Sequence, residues 1–402
     1  MALTRILLFE TSVTQANRRA DDGVFRFAKT AHWDVRPIEY AFCHVARMRQ
    51  EVPGNGIPDV RAIVELWNPN GVIVECAGRT PAFPLNVFGD IPVVLLDCDP
   101  RLVGKRQPCV YVDEKAVVRA AAQELLRPAG IEDYAYVPYV ENTVWSQSRR
   151  DLFADMVSLN GNRLHVFKPE SCNGPVSKWF DKPLRAWLKA LPKPCGLFAA
   201  NDGIARQILD TCEMTGISVP DDIVIVGVDD DETLCEHGVT SLSSVRIDYE
   251  QAGYCAAELL ARCLAPRGRK HVGSLSFGVV GVVRRASSRR YPDARLGIAL
   301  EAIRRRATVG ISPEDVASIL GCSRRFADVL FVSALGHTIF EEIRNVRLGR
   351  VTDLLANERQ QIAAIPDLCG YSSLQVLCRD FKRRFGISMR DWRSHMSSKF
   401  AK

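Results

Sequence analysis

Between Arg5 and Cys263, short runs that are apolar throughout alternate with longer stretches whose apolar residues recur every three or four positions. The runs Arg5–Phe9, Val72–Glu75, Val93–Asp97, Tyr134–Val140, Leu164–Phe167, Gly196–Ala199 and Ile223–Val228 predict strands. The stretches Asp22–Thr30, Glu114–Leu126, Ser148–Leu159, Asn201–Thr215 and Tyr249–Cys263 predict helices between them. A strand that is apolar on both faces needs cover on both, and alternating helices supply it, so the pattern predicts parallel sheet in an α/β fold. There is more sheet than one small doubly wound domain uses, which predicts two lobes with a cleft between them.

Beyond Pro292 the period changes and the pattern becomes all-helical. Ser312 is placed as an N-cap, with Pro313 at the first helical position and Glu314 and Asp315 at the positive end of the helix. Gly321 permits a turn and Ser323 caps a second helix opening on Arg324 and Arg325, whose core contacts are Ala327, Phe331 and Leu335. Thr338 to Glu341 reads as a capping box that opens a connecting helix to about Ala356, with Arg344, Arg347 and Arg350 at helical spacing. The pattern then repeats: Ile362–Cys369, a turn at Gly370-Tyr371, a cap at Ser372 or Ser373, and a helix Leu374–Phe385 expected to bury Leu374, Leu377, Phe381 and Phe385. Pro366 falls inside the expected Ile362–Cys369 helix, where it removes a hydrogen bond and predicts a kink. Two capped helix–turn–helix units in tandem, with Gln375, Arg379, Lys382 and Arg383 facing outward on the second, predict contact with DNA.

Charge sharpens this picture. The 402 residues carry a net charge of +6, and Asp293–Lys402 holds 18 Lys and Arg against 12 Asp and Glu, so everything before it is neutral. The excess positive charge lies where phosphate would be met. The 13 cysteines include no Cys-x-x-Cys pair and show no regular spacing, which excludes a disulfide framework and a zinc site and fits buried thiols in a reducing compartment. No nucleotide-binding glycine loop, histidine metal site or nucleophile elbow occurs; Gly54-Asn55-Gly56 reads as a turn. Met1–Thr11 offers only Ile6–Phe9 as an apolar run, too short for a signal peptide, and no stretch approaches the roughly 18 apolar residues of a membrane span. A cytoplasmic protein, nucleoid-associated when bound to DNA, is therefore expected, with no cofactor and no metal.

Candidate ligand groups stand at strand ends. Asn201-Asp202 and Asp229-Asp230 each follow an apolar strand, and in open α/β sheets ligands bind at the carboxyl ends of strands. The same residues can instead cap a helix and form a turn. Glu75 ends the run Val72–Val74 and is a further candidate. Asp, Asn and Arg supply the acceptors and paired donors that sugar hydroxyls need, and a Trp can stack on a pyranose face.

Two resemblances follow from these residues. The tail resembles the AraC-type DNA-binding domain through Ser323-Arg324-Arg325, Leu335-Gly336, Arg347-Leu348, Cys369-Gly370-Tyr371-Ser372-Ser373 and Phe381-Lys382-Arg383-Arg384-Phe385-Gly386. Val329 and Leu330 stand where that family has basic or polar residues, and Met389 replaces its proline. The first half resembles the effector domain of LacI-type repressors, which is similar to periplasmic sugar-binding proteins. Phe198–Ala205, Gly216–Asp230 and Ser241–Val245 carry this likeness, together with Trp145, Arg149 and Phe153 around the family's ligand-binding arginine, although Leu152 replaces its glycine. The two parts in this order resemble regulators of the bacterial xylose-operon type over nearly the whole length, with the first-lobe loops Glu75–Pro84 and Asp97–Pro100 fitting less well.

The resemblance implies an α/β two-lobed periplasmic-binding-protein-like domain over residues 1–283, a linker over 284–294, and an all-α domain with two helix–turn–helix motifs over 295–402. It implies a sugar-responsive transcription regulator, an activator of genes for a pentose such as D-xylose, acting as a homodimer on tandem operator half-sites and engaging RNA polymerase. The expected ligand residues are Arg149, Asn201, Asp202, Asp229, Asp230, Glu75 and Trp145. Expected DNA contacts are Arg324, Arg325, Gln375 and Arg379 to bases, Lys382 and Arg383 to phosphate, and Ser372 at the turn. Two alternatives stay open: a repressor, or a sensor of another sugar, a nucleoside or a purine, with the same architecture; and, more remotely, a carbohydrate-active enzyme using Asp229/Asp230 or Glu75 as acid and base.

Overall fold

The computed structural model describes residues 3–10, 15–39, 60–81, 83–104, 106–128, 130–139, 143–168, 182–265, 273–289, 293–356 and 361–399. Val140, the Gly54–Gly56 turn, and Arg290 and Pro292 of the expected linker lie outside the described residues. The chain divides into two compact units, Met1–Ser288 and Arg289–Lys402. Among the described residues no helix is long and apolar enough to cross a membrane, and no group of three or more metal-ligating side chains is present.

The first unit contains two six-stranded sheets. Strands β1 (Thr4–Glu10), β2 (Trp33–Glu39), β3 (Gly71–Glu75), β4 (Val93–Leu96) and β5 (Cys109–Val112) lie in one. Strands β6 (Asp133–Val137), β7 (Arg163–Val166), β8 (Cys195–Ala199), β9 (Ile223–Val228) and β10 (Ser243–Ile247) lie in the other. β11 (Leu275–Phe277) completes the first, in the order β11-β5-β4-β3-β1-β2, and β12 (Val279–Val283) the second, in the order β12-β10-β9-β8-β6-β7. Every described pairing is parallel except β10 with β12. All five residues of β3, β6 and β8 are buried, as sheets covered on both faces require.

Helices α1 (Gln15–Ala31), α2 (Val60–Trp67), α3 (Glu114–Leu125), α4 (Val144–Leu159), α5 (Lys182–Ala190), α6 (Asp202–Thr215), α7 (Glu232–Glu236) and α8 (Tyr249–Leu264) fill the gaps between strands. The chain passes between the lobes three times. After β5, α3 packs against β8, β9, β10 and β12; after β10, α8 returns to pack against β3, β4 and β5; β11 and β12 are consecutive yet belong to different sheets. Repeated crossings tie the lobes and leave their strand ends facing a common cleft.

The sequence reading found β1, β3, β4, β6, β7, β8 and β9 and missed β2, β5, β10, β11 and β12. β2 is an edge strand carrying Arg36 and Pro37, and edges tolerate both. The linker also begins later than expected. Ser287 and Ser288 are buried in the first unit, where the Ser287 hydroxyl donates to the Ile225 carbonyl at 2.7 Å and Ser288 to Glu124 at 2.8 Å. Arg284 and Arg285 bond to Glu124 and Glu236. The stretch Arg284–Ser288 thus packs within the first unit.

The second unit is all-α: α9 (Ala294–Arg306), α10 (Pro313–Leu320), α11 (Arg324–Leu335), α12 (Ile339–Ala356), α13 (Ile365–Leu368), α14 (Leu374–Phe385) and α15 (Met389–Lys399). Ser312 and Asp315 form a capping box on α10, and Gly321 ends that helix in the left-handed conformation. Thr338 and Glu341 make the reciprocal bonds of a capping box before α12. Two hydrophobic cores result. Leu296, Ile303, Val316, Leu320, Phe331 and Ile343 belong to one; Leu348, Val351, Leu355, Leu377, Phe381 and Met389 belong to the other. Helix α12 therefore inserts its first half into one core and its second half into the other.

Arg347, midway along α12, donates to the Ala307 carbonyl at 2.7 Å and lies 5.9 Å from the Tyr371 ring centroid, joining the two cores. Beside it Gly370 adopts φ +71°, and a Cβ there would sit 2.7 Å from the Thr308 carbonyl oxygen, so both conformation and contact demand glycine. Pro366 kinks nothing. Ile362–Ala364 is a separate 3-10 turn, and Pro366 falls in the first turn of α13, where no backbone donor is needed. Ser373, not Ser372, caps α14, and Leu374 is 38% exposed where burial was expected.

Candidate functional site

The cleft is organised around Arg149 on α4, which is 4% exposed. Its Nε donates to Glu114 Oε2 at 2.6 Å, its Nη2 to Glu114 Oε1 at 3.3 Å and its Nη1 to the Ala200 carbonyl at 2.6 Å. Its guanidinium lies 4.7 Å from the Trp145 ring centroid, and Tyr139 packs on that indole at 5.2 Å. Burial opposes the arginine's charge, but Glu114 and Asp229 more than offset it and raise its pKa. A cation fixed from two sides, with an aromatic ring over it, is a preorganised donor.

Carboxylates at several strand ends act on one another here, and Asp97 and Asp229 also feel this cation. Asp97 follows β4, Asp229 follows β9 and Glu75 ends β3. Burial, then the charges of Glu75, Glu114 and Asp229, push Asp97 up to about 7. Burial likewise raises Asp229 to about 6, against the pull of Arg149 and of the Tyr249 hydroxyl, which donates to Asp229 Oδ1 at 3.0 Å. Glu75, 1% exposed, accepts from Asn17 Nδ2 at 2.6 Å. Behind it Asp21 is raised to about 9 by burial, a bond with Glu10 and the Glu75 charge. Ala77, Asp97, Asp229 and Asp230 all have positive φ (49°, 53°, 106° and 52°). Four non-glycine residues in this region at neighbouring strand ends mark the backbone strain that binding sites retain.

Contacts cross the cleft. Gly78, after β3, has φ +73°, and a Cβ there would fall 2.8 Å from Trp145 Cδ1. Arg101 Nη2 donates to Ser148 Oγ at 2.9 Å, and the Glu232 amide donates to Gln15 Oε1 at 2.8 Å.

Of the seven ligand candidates from the sequence, Arg149, Asp229, Glu75 and Trp145 meet in this region. The other three hold partners inside the second lobe. Asn201 Oδ1 accepts from the Ile204 amide at 3.0 Å as the N-cap of α6. Asp202 is 1% exposed and accepts from Ser244 Oγ at 2.6 Å and the Asp231 amide at 2.8 Å, tying α6 to β10. Asp230, also 1% exposed, is bonded by Arg246 Nε at 2.6 Å and paired with Arg285. Asp97, Glu114 and Tyr249 were missed as site residues. The strand-end rule that singled out Asp229 applies equally to Asp97, whereas Glu114 follows a strand that had not been recognised. Phe153 is core, packed on Tyr134 and Phe198.

In the second unit, the outward face of α14 presents Gln375, Arg379, Lys382 and Arg383, all exposed, with Ser372 exposed at the turn before it. Arg383 also bonds to Asp380 at 3.1 Å. On α11 Arg325 is exposed, but Arg324 donates to Asp328 Oδ2 at 2.9 Å and Glu314 Oε1 at 3.2 Å. Arg324 is thereby held against its own unit.

Comparison with known proteins bears on both units. Residues 124–288 match the periplasmic binding protein-like domain, and residues 316–395 match a helix-turn-helix domain. The xylose operon regulatory protein of Haemophilus influenzae (strain ATCC 51907 / DSM 11121 / KW20 / Rd) is 29% identical, over 71% of this chain and 74% of its own. That of Escherichia coli (strain K12) is 29% identical, over 81% of this chain and 84% of its own. A solved structure described as the xylose-binding transcription activator xylR aligns over 98% of both chains, with a TM-score of 0.62 and 24% identity. The chain thus joins a periplasmic binding protein-like domain to an AraC-type helix–turn–helix domain, and it is a homologue of the xylose operon regulatory proteins.

Proposed function

We propose that the chain is a sugar-responsive, sequence-specific transcription regulator without catalytic activity, which activates genes for the use of a pentose such as D-xylose. The observation that carries this reading is the cleft cluster: Arg149 fixed by Glu114 and Ala200, Trp145 beside it, and Asp97, Asp229 and Glu75 around it. Such a set offers paired donors, several acceptors and a ring face, the chemistry that recognises a polyhydroxylated ring. The sugar bridges the lobes, and by linkage it must favour the DNA-competent arrangement over the other, since equal affinity shifts nothing. The active species is a cytoplasmic homodimer that places its tails on tandem half-sites and recruits RNA polymerase.

Isothermal titration with pentoses, hexoses, nucleosides and purines tests the ligand. Saturable binding of D-xylose is expected, and its loss in Asp229→Asn. Arg149→Ala is the harsher variant, since it strands the Glu114 carboxylate and costs about 3–5 kcal/mol of stability. Binding only of a purine or nucleoside keeps the regulator and replaces its signal; turnover of the sugar refutes the non-catalytic reading.

The carboxylates give an independent check. Folding raises Asp97 from its ordinary 3.8 to about 7, so between those values the folded state holds a proton that the unfolded chain releases. Stability therefore falls as pH rises from about 4 to about 7. Thermal melts across that range should show the decline, and Asp97→Asn should make it shallower, with Asp21 and Asp229 contributing the remainder.

A further inference from the structure

Helices α11 and α14 occupy the same place in the two helix–turn–helix units, each the second helix after a tight turn. Counted from the capping serines Ser323 and Ser373, Val329 corresponds to Arg379, Val332 to Lys382 and Ser333 to Arg383. Val329 is 56% exposed and Val332 48% exposed. They line a shallow open groove with Arg324, Arg325, Asp328 and Ser333. An isolated exposed valine needs no explanation. Two, one helical turn apart, at the positions where the companion helix carries a guanidinium and an ammonium, form an apolar stripe on a face directed at a partner.

Resting on the DNA-binding function proposed above, we propose that Val329 and Val332 contact the 5-methyl groups of thymines in the major groove. The groove that α11 enters is then specified by methyl contact, while Gln375 and Arg379 specify the groove that α14 enters through hydrogen bonds. The thymine methyl is the apolar group that a base edge offers in that groove, and small apolar side chains are its natural partners. Neutralisation of Arg324 by Asp328 and Glu314 removes the cation that would otherwise dominate the stripe. Arg325, at the start of α11, stays available to hold the helix against phosphate. DNA is the occupant because α12 builds the α11 unit into the same body as the basic face of α14.

The test selects preferred duplexes for the full-length chain from a random library, with and without D-xylose. Thymidine is then replaced by deoxyuridine in one groove segment at a time. Each methyl lost opposite α11 should weaken binding about fourfold, the worth of one buried methyl group. In Val329→Ala/Val332→Ala, two exposed changes that leave the cores intact, the thymidine and deoxyuridine duplexes should bind alike. Equal binding of both duplexes by the unaltered chain overturns the proposal while DNA recognition stands. So does undiminished affinity and selectivity in the double variant, which would assign the stripe to a protein partner. Selection of no preferred duplex removes the DNA-binding function and this proposal together.

Discussion

Helices α11 and α14 are assembled from one frame. Ser323 and Ser373 cap them, Ala327 and Phe331 or Leu377 and Phe381 anchor them, and Gly336 and Gly386 end them in the left-handed conformation. Their outward faces diverge: Arg325, Val329, Val332 and Ser333 on one, Gln375, Arg379, Lys382 and Arg383 on the other. Packing and capping constrain the inward positions and the ends, because an error there costs a cavity or an unsatisfied amide. Nothing in the fold constrains the outward positions, so the two helices can hold identical poses and differ in chemistry. Likeness of fold therefore says where a reading helix lies and little about what it reads.

The contrast can be broken from the polar side first. Arg379→Ala should lower affinity for the selected duplex by about 1–3 kcal/mol, the worth of a bidentate base contact. Affinity for random DNA should stay near its starting value; fluorescence anisotropy against both duplexes measures the split. Equal loss on both would make Arg379 a phosphate contact. Converting the apolar side comes next. Val329→Arg/Val332→Lys should strengthen random binding and steepen the slope of log affinity on log salt by about 1.8, for two added phosphate contacts. An unchanged slope means that α11 does not approach the backbone.

Smaller effects test the shared frame. Arg347→Met removes the bond to Ala307 and the stacking on Tyr371, and should cost about 1–2 kcal/mol in urea denaturation. Loss of cooperativity between the two cores should accompany it. Ser323→Ala and Ser373→Ala should each cost about 1 kcal/mol, and by similar amounts, since each accepts from one amide at 3.3 Å. Markedly unequal costs would mean the frames are less alike than their geometry.

What was legible in the sequence followed from local constraint. β3, β6, β8 and β9 are buried throughout and announced themselves as apolar runs, whereas β2 at an edge and the three-residue β11 had no such pattern. Caps at Ser312 and Ser323 and the turns at Gly321 and Gly370 were readable, because few residue types satisfy them. The ligand candidates were only half legible. Asn201, Asp202, Asp229 and Asp230 all follow strands and share the same chemistry, yet Asp229 bears on the Arg149 charge while the other three hold partners within their own lobe. The partners that separate them, Ser244, Arg246, Arg285 and Tyr249, arrive from distant strands and helices. The pairing of Arg324 was illegible for a similar reason: Glu314, which holds it, sits on the preceding helix.

Helix α12 lies in both cores at once, and this makes the tail a gauge. A flexible tether between two reading heads would let each find its sequence at variable separation. An unbroken helix of 18 residues, about 27 Å long, permits no such search. Each base pair inserted between the segments that α11 and α14 read turns one groove by about a tenth of a revolution away from its head. Spacing thus becomes as much a part of the address as the bases themselves. Genes under this regulator must keep phase with a length written in protein.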